Sequence, residues 1–261
     1  IFTNEPECIN KSKVQELPSI SDHRAVISDV SWGGDHKKIT EWQDQKPLIA
    51  KLNTKLVNWE NVNNELGNMN WEYIFGECGV RWFHTGGIFA SLSETTAEVA
   101  IEAMSVAKKH GTIVSYDLNY RPSLWKSIGG ESKAQEVNRK LMSHVDFVFG
   151  NEEDFDAALR IKVKSDANNY QKLDTDSYLE MMKSVSVEFP NIRAVATSLR
   201  TVKSASINDW NALLWLQSSG TFIGNKMENL EIFDRVGGGD SFASGLIYGF
   251  LAGQTPQDSL Q

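Results

Sequence analysis

The pattern of apolar and polar residues changes near residue 71. Upstream of it, short apolar runs follow no helical or strand period, and seven asparagines fall between Asn53 and Asn70. Asparagine side chains compete for backbone hydrogen bonds and weaken helices, so this stretch is typical of a connector. We therefore predict a leader and Asn-rich connector over residues 1–70 and a folded domain over residues 71–261.

Downstream of residue 71, apolar runs typical of strands alternate with amphipathic stretches typical of helices. The pattern predicts strands over 80–84, 112–117, 145–149 and 193–197, and helices over 95–110, 133–143, 176–188 and 241–251, with another after Asn151. Thr95 and Glu98 have the spacing of a capping box. Helices of this length between strands indicate crossover connections and a doubly wound, mostly parallel sheet. Shorter runs between 204 and 222 predict antiparallel strands at the sheet edge.

Ligands of such sheets bind beyond the carboxyl ends of the strands, where this chain carries polar side chains. Asp117, Asn119 and Arg121 follow one predicted strand, and their alternate positions would point to one side, toward a shared ligand. An ordinary strand-end turn, with Arg121 restrained by Pro122, is the alternative. Ser198 and Arg200 follow another strand and could place a cation near a phosphate, or form only a surface ion pair.

A glycine-rich turn at Gly237, Gly238 and Gly239 precedes the predicted helix over 241–251. Bare backbone N–H groups and the positive end of a helix dipole suit an anion, and Asp240 could accept a proton from an attacking hydroxyl. An Asp-capped glycine turn without chemistry is the alternative. The absence of a GxxxxGK[ST] pattern excludes a P-loop mechanism.

Two further positions admit both a structural and a chemical interpretation. Asn151 with Asp154 suits an ordinary helix cap, or an outer-sphere magnesium site that holds the metal through water. His84 is expected to be a satisfied buried histidine rather than a catalytic one.

Composition narrows the class of protein. The net charge of −8 disfavours a nucleic-acid partner, and no apolar run is long enough to predict a membrane span. Two cysteines without a CxxC spacing suggest free thiols rather than a zinc site or a disulfide framework. We predict a soluble cytoplasmic protein.

Taken together, these motifs resemble the ribokinase-like (PfkB) carbohydrate kinases. Residues 234–245 match that family's C-terminal signature, and residues 82–88, 115–125 and 150–155 are similar to the 2-keto-3-deoxygluconate kinase branch. The resemblance implies transfer of the ATP γ-phosphate to a sugar-acid hydroxyl, and a ribokinase-like sheet with helices on both faces. The N-terminal strands, the lid and the C-terminal end of such kinases are not recognised in this chain.

The resemblance also implies roles for residues. Asp240 would be the base, Gly237 to Gly239 the anion hole, and Asp117, Asn119 and Arg121 the substrate-binding residues. Asn151 and Asp154 occupy the metal-linked motif, with Asp154 where Glu is more frequent, and Ser198 and Arg200 lie where nucleotide phosphates approach. ATP, Mg²⁺ and a small sugar acid are the expected ligands, and a homo-oligomer is possible because the lid of such kinases often forms a dimer contact.

Residues 1–60 resemble the tail of a non-LTR retrotransposon endonuclease, in which Asp22 and His23 would be the catalytic pair. The earlier segments of such a nuclease are not recognised, so nuclease activity is not expected. The alternative function for the chain is therefore a non-catalytic fusion of a retroelement remnant with a partial kinase.

Overall fold

A computed structural model describes residues 2–3, 67–162, 175–204, 206–234 and 236–261. Its strands are β1 (Phe2–Thr3), β2 (Val80–Gly86), β3 (Ile113–Asp117), β4 (Phe147–Phe149), β5 (Ala194–Val202), β6 (Ile207–Leu216), β7 (Gly220–Ile223) and β8 (Met227–Glu231). Its α-helices are α1 (Gly87–Ala90), α2 (Glu94–Lys109), α3 (Pro122–Trp125), α4 (Gly130–Met142), α5 (Glu152–Leu159), α6 (Thr175–Glu188), α7 (Gly238–Leu251) and α8 (Pro256–Ser259). A π-helical turn at Tyr73–Glu77 and a 3₁₀ turn at Lys126–Ile128 complete the elements.

The eight strands form one mixed sheet. Strands β2, β3, β4 and β5 are parallel neighbours, whereas β6 runs antiparallel to β5, β7 and β8. Strand β1 lies antiparallel along the outer side of β2. The predicted mixture of helix-linked parallel strands followed by antiparallel strands is confirmed.

One face of the sheet is covered by α2, α4, α5 and α6. The apolar side of α2 is buried, and it consists of Val99, Ala100, Ala103, Met104 and Ala107. The predicted cap of this helix is wrong. Ser93, in extended conformation, accepts the Thr96 N–H at 3.1 Å while the Thr96 hydroxyl accepts the Ser93 N–H, so the helix begins before Thr95.

The opposite face is covered by α7 and the segment around α8. Its core combines strand residues of alternating position with helix residues, namely Trp82, Phe147, Phe149, Ala194, Ala196, Ala212, Leu214, Ala243, Leu246, Ile247 and Leu260. Phe149 is the last residue of β4, and its ring packs edge-on against Phe242 with 6.1 Å between centroids. The beginning of α7 therefore lies over the carboxyl ends of the parallel strands.

Some features of the chain fall outside these ranges. The endonuclease-like segment, with Asp22 and His23, lies outside the described residues except for Phe2–Thr3. In the part of the chain that the structure describes, no helix combines the length and apolarity needed to cross a bilayer. Cys78 is a buried free thiol, and Cys8 is not among the described residues.

The contact between α7 and α8 depends on a glycine. A Cβ added to Gly249 would lie 2.6 Å from Ser259 Cβ, whereas one added to Gly245 in the same helix would meet nothing within 4 Å. We expect Gly249→Ala to lower the free energy of unfolding by about 1–3 kcal/mol through overpacking. Gly245→Ala, the matched control, should raise it by about 0.5–1 kcal/mol because alanine favours the helix. Urea denaturation of both variants measures this, and equal effects would show that the two helices are not in close contact.

Candidate functional site

Three parallel strands end side by side at the edge of the sheet where a ligand is expected. In the register of the sheet, Asp117 at the end of β3 stands opposite Gly86 of β2 on one side and Phe149 of β4 on the other. This arrangement places the first of the predicted substrate-binding residues at the centre of the edge.

Glycines allow the backbone after these strands to approach closely. A Cβ on Gly87 would lie 2.0 Å from the carbonyl oxygen of Leu118, a separation that real atoms do not tolerate. A Cβ on Gly86 would lie 3.0 Å from the carbonyl oxygen of Asp117. The chain leaving β2 therefore rests directly against the chain leaving β3, and only glycine fits at position 87.

Asp154 ties the loop after β3 to the beginning of α5. One of its carboxylate oxygens accepts the N–H of Tyr120 at 2.8 Å, and the other accepts the N–H of Asn151 at 3.0 Å. Asn151 in turn accepts the Asp154 N–H at 2.9 Å, which completes a capping box. The capping interpretation accounts for the placement of both side chains, and their link to a metal stays a prediction.

Two other carboxylates, those of Asp154 and Asp240, lie close enough to Asp117 at this edge to influence it. Burial and, to a lesser extent, the negative charges of Asp154 and Asp240 raise the pKa of Asp117 to about 7, against a hydrogen bond from the Asn119 N–H and the charge of Arg121. Burial also raises the pKa of Asp154, opposed chiefly by the N–H groups of Asn151 and Tyr120. Asp117 therefore exchanges its proton near neutral pH.

Arg121 brings a positive charge to the same edge. It is exposed, it precedes Pro122 in extended conformation, and its Nη1 donates to the Tyr120 carbonyl at 3.0 Å. Its charge lowers the pKa of both Asp117 and Asp154. Asn119 adopts a φ of 32°, which turns the chain between Asp117 and Arg121. The segment after β3 is therefore not extended at Asn119, so the prediction that Asp117, Asn119 and Arg121 point to one side as alternate residues of an extended chain is wrong.

The beginning of α7 is open and uncapped. Gly237 has a φ of 80°, α7 starts at Gly238, and the N-cap residue Gly237 has no side chain that could cap the first N–H groups. A Cβ on Gly237 or Gly239 would meet nothing within 4 Å. First-turn N–H groups without partners and the helix dipole attract an anion, so this turn fits a phosphate, with exposed Asp240 in the same turn.

The prediction that Ser198 and Arg200 follow the end of a strand is wrong. Both lie within β5, which continues to Val202 because it pairs with the long strand β6. Arg200 is exposed, and it stands opposite Trp210 of β6. The Trp210 ring packs against Gly238, where an added Cβ would lie 3.3 Å from Cη2. Trp210 therefore lies between the strand position of Arg200 and the glycine turn. The sequence does not indicate this position, because a tryptophan is equally typical of a core.

The described residues contain no group of three or more His, Cys, Asp or Glu side chains that could hold a metal ion. Both carboxylate oxygens of Asp154 already accept backbone N–H groups. The residues present therefore do not form a direct magnesium cage.

Comparison with known proteins identifies the family. Residues 48–197, more than half of the chain, match the model of the pfkB family carbohydrate kinases. The chain belongs to this family. The match begins within the segment that the sequence pattern predicts to be a connector, and it ends in β5, upstream of the glycine turn.

Several kinases resemble the chain over part of their length. A solved 2-dehydro-3-deoxygluconokinase from Thermotoga maritima is 34% identical with a TM-score of 0.65, over 75% of this chain and 55% of that one. A pfkB kinase from Listeria grayi is 26% identical with a TM-score of 0.62, over 74% and 54%. A 2-dehydro-3-deoxygalactonokinase from Haloferax volcanii is 37% identical over 79 residues, which are 30% of this chain and 24% of that protein. The chain spans about half the length of the two solved structures and a quarter of the Haloferax protein.

The raised pKa of Asp117 predicts how stability depends on pH. Between the unfolded value of 3.8 and the folded value of about 7 the folded state binds the extra proton, so its stability falls as pH rises through this range. Asp117→Asn removes this loss. We expect the free energy of unfolding of the variant, relative to that of the wild type, to increase by at most about 1.4 kcal/mol per pH unit from pH 5 to 7 and then to stay constant.

Denaturant unfolding of both proteins at several pH values between 5 and 8 is the measurement. Asp209→Asn is the matched control, because hydrogen bonds from Lys203 and the Asn229 N–H lower the pKa of Asp209 to about 2. Its difference from the wild type should stay constant over this range. A constant difference for Asp117→Asn as well would contradict the assigned pKa.

Proposed function

We propose that the chain transfers the γ-phosphoryl group of ATP to a hydroxyl of a sugar acid of the 2-keto-3-deoxygluconate type. The observation that carries the proposal is the position of Asp240. It lies in the first turn of an open, uncapped helix and is close enough to Asp117 for its charge to raise the pKa of that residue. The likeness to the Thermotoga maritima protein, named 2-dehydro-3-deoxygluconokinase, supports the choice of substrate class.

In this proposal each group at the edge has a distinct task. The N–H groups of Gly237, Gly238 and Gly239 hold the transferring phosphate, where developing negative charge meets the helix dipole. The Asp240 carboxylate accepts the proton of the attacking hydroxyl. Arg121 pairs with the substrate carboxylate, a geometry that a guanidinium can satisfy with two hydrogen bonds.

Asp117 and Asn119 complete the proposed acceptor site. With a pKa of about 7, Asp117 can donate to or accept from a sugar hydroxyl. Ser198 and Arg200 are proposed to face the nucleotide phosphates, which is supported by the contact of Trp210 with the glycine turn. Asn151 and Asp154 stay proposed outer-sphere partners of Mg²⁺ carried on the nucleotide, because the described side chains do not cage the ion directly.

The remaining predictions concern the chain as a whole. We retain residues 71–261 as the proposed catalytic unit, with residues 1–70 as leader and connector. The sugar acid and ATP as ligands, the homo-oligomeric state and the cytoplasmic location stay predictions. A non-catalytic fusion is the alternative that the assay below decides.

Replacement of the proposed base is the direct test. With ATP, Mg²⁺ and 2-keto-3-deoxygluconate, Asp240→Asn should lower kcat by about 10²- to 10⁴-fold and leave KM for ATP nearly unchanged, because only proton transfer is lost. Glu102→Gln, an exposed position on α2, is the control and should keep full activity. Retained turnover in Asp240→Asn would refute the role of the base, and a wild-type chain without turnover would favour the non-catalytic fusion.

A second test concerns the glycine turn. An added methyl group at Gly239 meets no protein atom, so it costs no packing, but it would occupy the space that a phosphate needs. We expect Gly239→Ala to raise KM for ATP by about tenfold, a loss of roughly 1.4 kcal/mol of binding. Gly245→Ala, also in α7 and also free of contacts, is the matched control. Steady-state kinetics decide, and equal KM values in both variants would show that phosphate does not bind at this turn.

A further inference from the structure

A cavity of about 490 Å³ lies between α4 and the carboxyl ends of α5 and α6. We call it the arginine cavity, because Arg139 of α4 and Arg160 at the end of α5 both line it, together with Glu188 at the end of α6. Its volume lies in the range of small-molecule sites, roughly 300–1,000 Å³. The eight-residue helix α5 spans roughly 12 Å and begins at the candidate active site, so the cavity at its other end is a separate place.

Arg139 is held in position by three contacts. Its Nη1 donates to the Leu159 carbonyl oxygen at 2.8 Å, its Nη2 pairs with Glu188, and its guanidinium carbon lies 5.2 Å from the centre of the Phe189 ring. An arginine that is immobilised only when a ligand binds loses conformational entropy at that moment. In Arg139 this loss has already occurred during folding, so a fixed positive charge lies at the cavity.

Arg160 is held by a buried side chain. Gln135 is 5% exposed, and its Oε1 accepts the Nε–H of Arg160. The Gln135 amide group donates to Glu131 at 2.9 Å and to the Ala157 carbonyl oxygen at 3.1 Å, which fixes its orientation. Because Arg160 uses Nε for this bond, its two Nη groups remain for a ligand. They form the edge of the guanidinium that binds an oxyanion with two parallel hydrogen bonds.

The acidic side chains at the cavity are already paired with other cations. Glu188 pairs with Arg139, and Glu136 pairs with Lys140 at 2.6 Å. Within the described ranges no carboxylate forms an ion pair with Arg160. An anion that enters the cavity would therefore meet the charge of Arg160 without displacing a carboxylate from it.

The backbone of Arg160 gives independent support. The residue ends α5 in the left-handed conformation, with a φ of 61° and a ψ of 29°. Glycine or asparagine is usual at such a position, because other side chains raise the free energy of this conformation. An arginine at this place has no conformational advantage, so the position points to a use for its guanidinium group.

We propose that the arginine cavity is a second binding site, which takes the phosphate or carboxylate group of a small molecule. The two Nη groups of Arg160 bind the oxyanion, and the charge of Arg139 and the hydroxyl of Ser132, which also lines the cavity, lie beside it. Phosphate and carboxylate share the planar pair of oxygens that a guanidinium recognises. The site is independent of the proposed function and needs no phosphotransfer.

Arginine-selective ¹⁵N NMR on the full wild-type chain is the test. The chain has eight arginines, and the Arg160 Nε–H signal is the one missing from Arg160→Gln. Inorganic phosphate and gluconate are added separately at constant ionic strength, with sodium chloride as the reference. We expect a saturable shift of the Arg160 signal, while the signal of Arg81, which donates to the Leu251 carbonyl oxygen, stays unchanged.

The two anions distinguish the sources of the oxyanion. Saturation by phosphate alone assigns a phosphate group, saturation by gluconate alone assigns a carboxylate, and saturation by both assigns an oxyanion site in the broad sense. Shifts that stay linear and equal those in sodium chloride would overturn the proposal.

A pair of variants separates a specific site from general positive charge. With binding followed on the Arg139 Nε–H signal, Arg160→Gln should raise the Kd of the saturating anion by about tenfold or more. Lys162→Gln removes the same charge two residues away, from an exposed side chain 3.7 Å from Asp156, and is the matched control. Its Kd should stay within about twofold of the wild-type value. Equal increases in both variants, or no increase in Arg160→Gln, would refute the site.

Discussion

The candidate site depends on the close approach of two backbone segments where β2 and β3 end. The Leu118 carbonyl oxygen occupies the space that any side chain at position 87 would need. Separating these strands would move Asp117 from its place opposite Gly86 and carry the following loop with it. Since Asp154 is hydrogen-bonded to Tyr120 in that loop, the start of α5 would lose an anchor as well. One steric constraint between glycine and a carbonyl group therefore holds two loops and two acidic side chains in place.

Electrostatics at this edge follow from that geometry. Burial of Asp117, reinforced by the negative charges of Asp154 and Asp240, raises the pKa of Asp117 to about 7. Arg121 and the N-terminal dipole of α7 provide the opposing positive field. An anionic ligand in front of α7 would meet that dipole first, whereas hydroxyl groups would meet the carboxylates. Asp240 lies in the first turn of α7, so one of the carboxylates stands at the positive end of the helix dipole.

Part of the candidate site could be predicted from the sequence. The cap formed by Asn151 and Asp154 and the glycine start of α7 follow from local spacing, and the structure contains both. The predicted start of α2, at Thr95 with Glu98, is wrong because the capping box is formed by Ser93 and the Thr96 hydroxyl. The position of Arg200 within β5 could not be predicted, because the end of that strand is set by pairing with β6, more than ten residues away in the chain.

The environment of His84 also depends on residues far away in the chain. The prediction of a satisfied buried histidine is correct for Nδ1, whose partner Ser115 is 31 residues away, but wrong about burial, because the side chain of His84 is exposed. The sequence by itself determined the alternation of strands and helices, the position of Asp117 at the carboxyl end of a strand and the glycine turn before α7, because these depend on spacing within one element. Only the tertiary structure decided which polar residues share an electrostatic environment. That depends on strand register and on the position of α7 over the sheet, both set by packing between segments far apart in the chain.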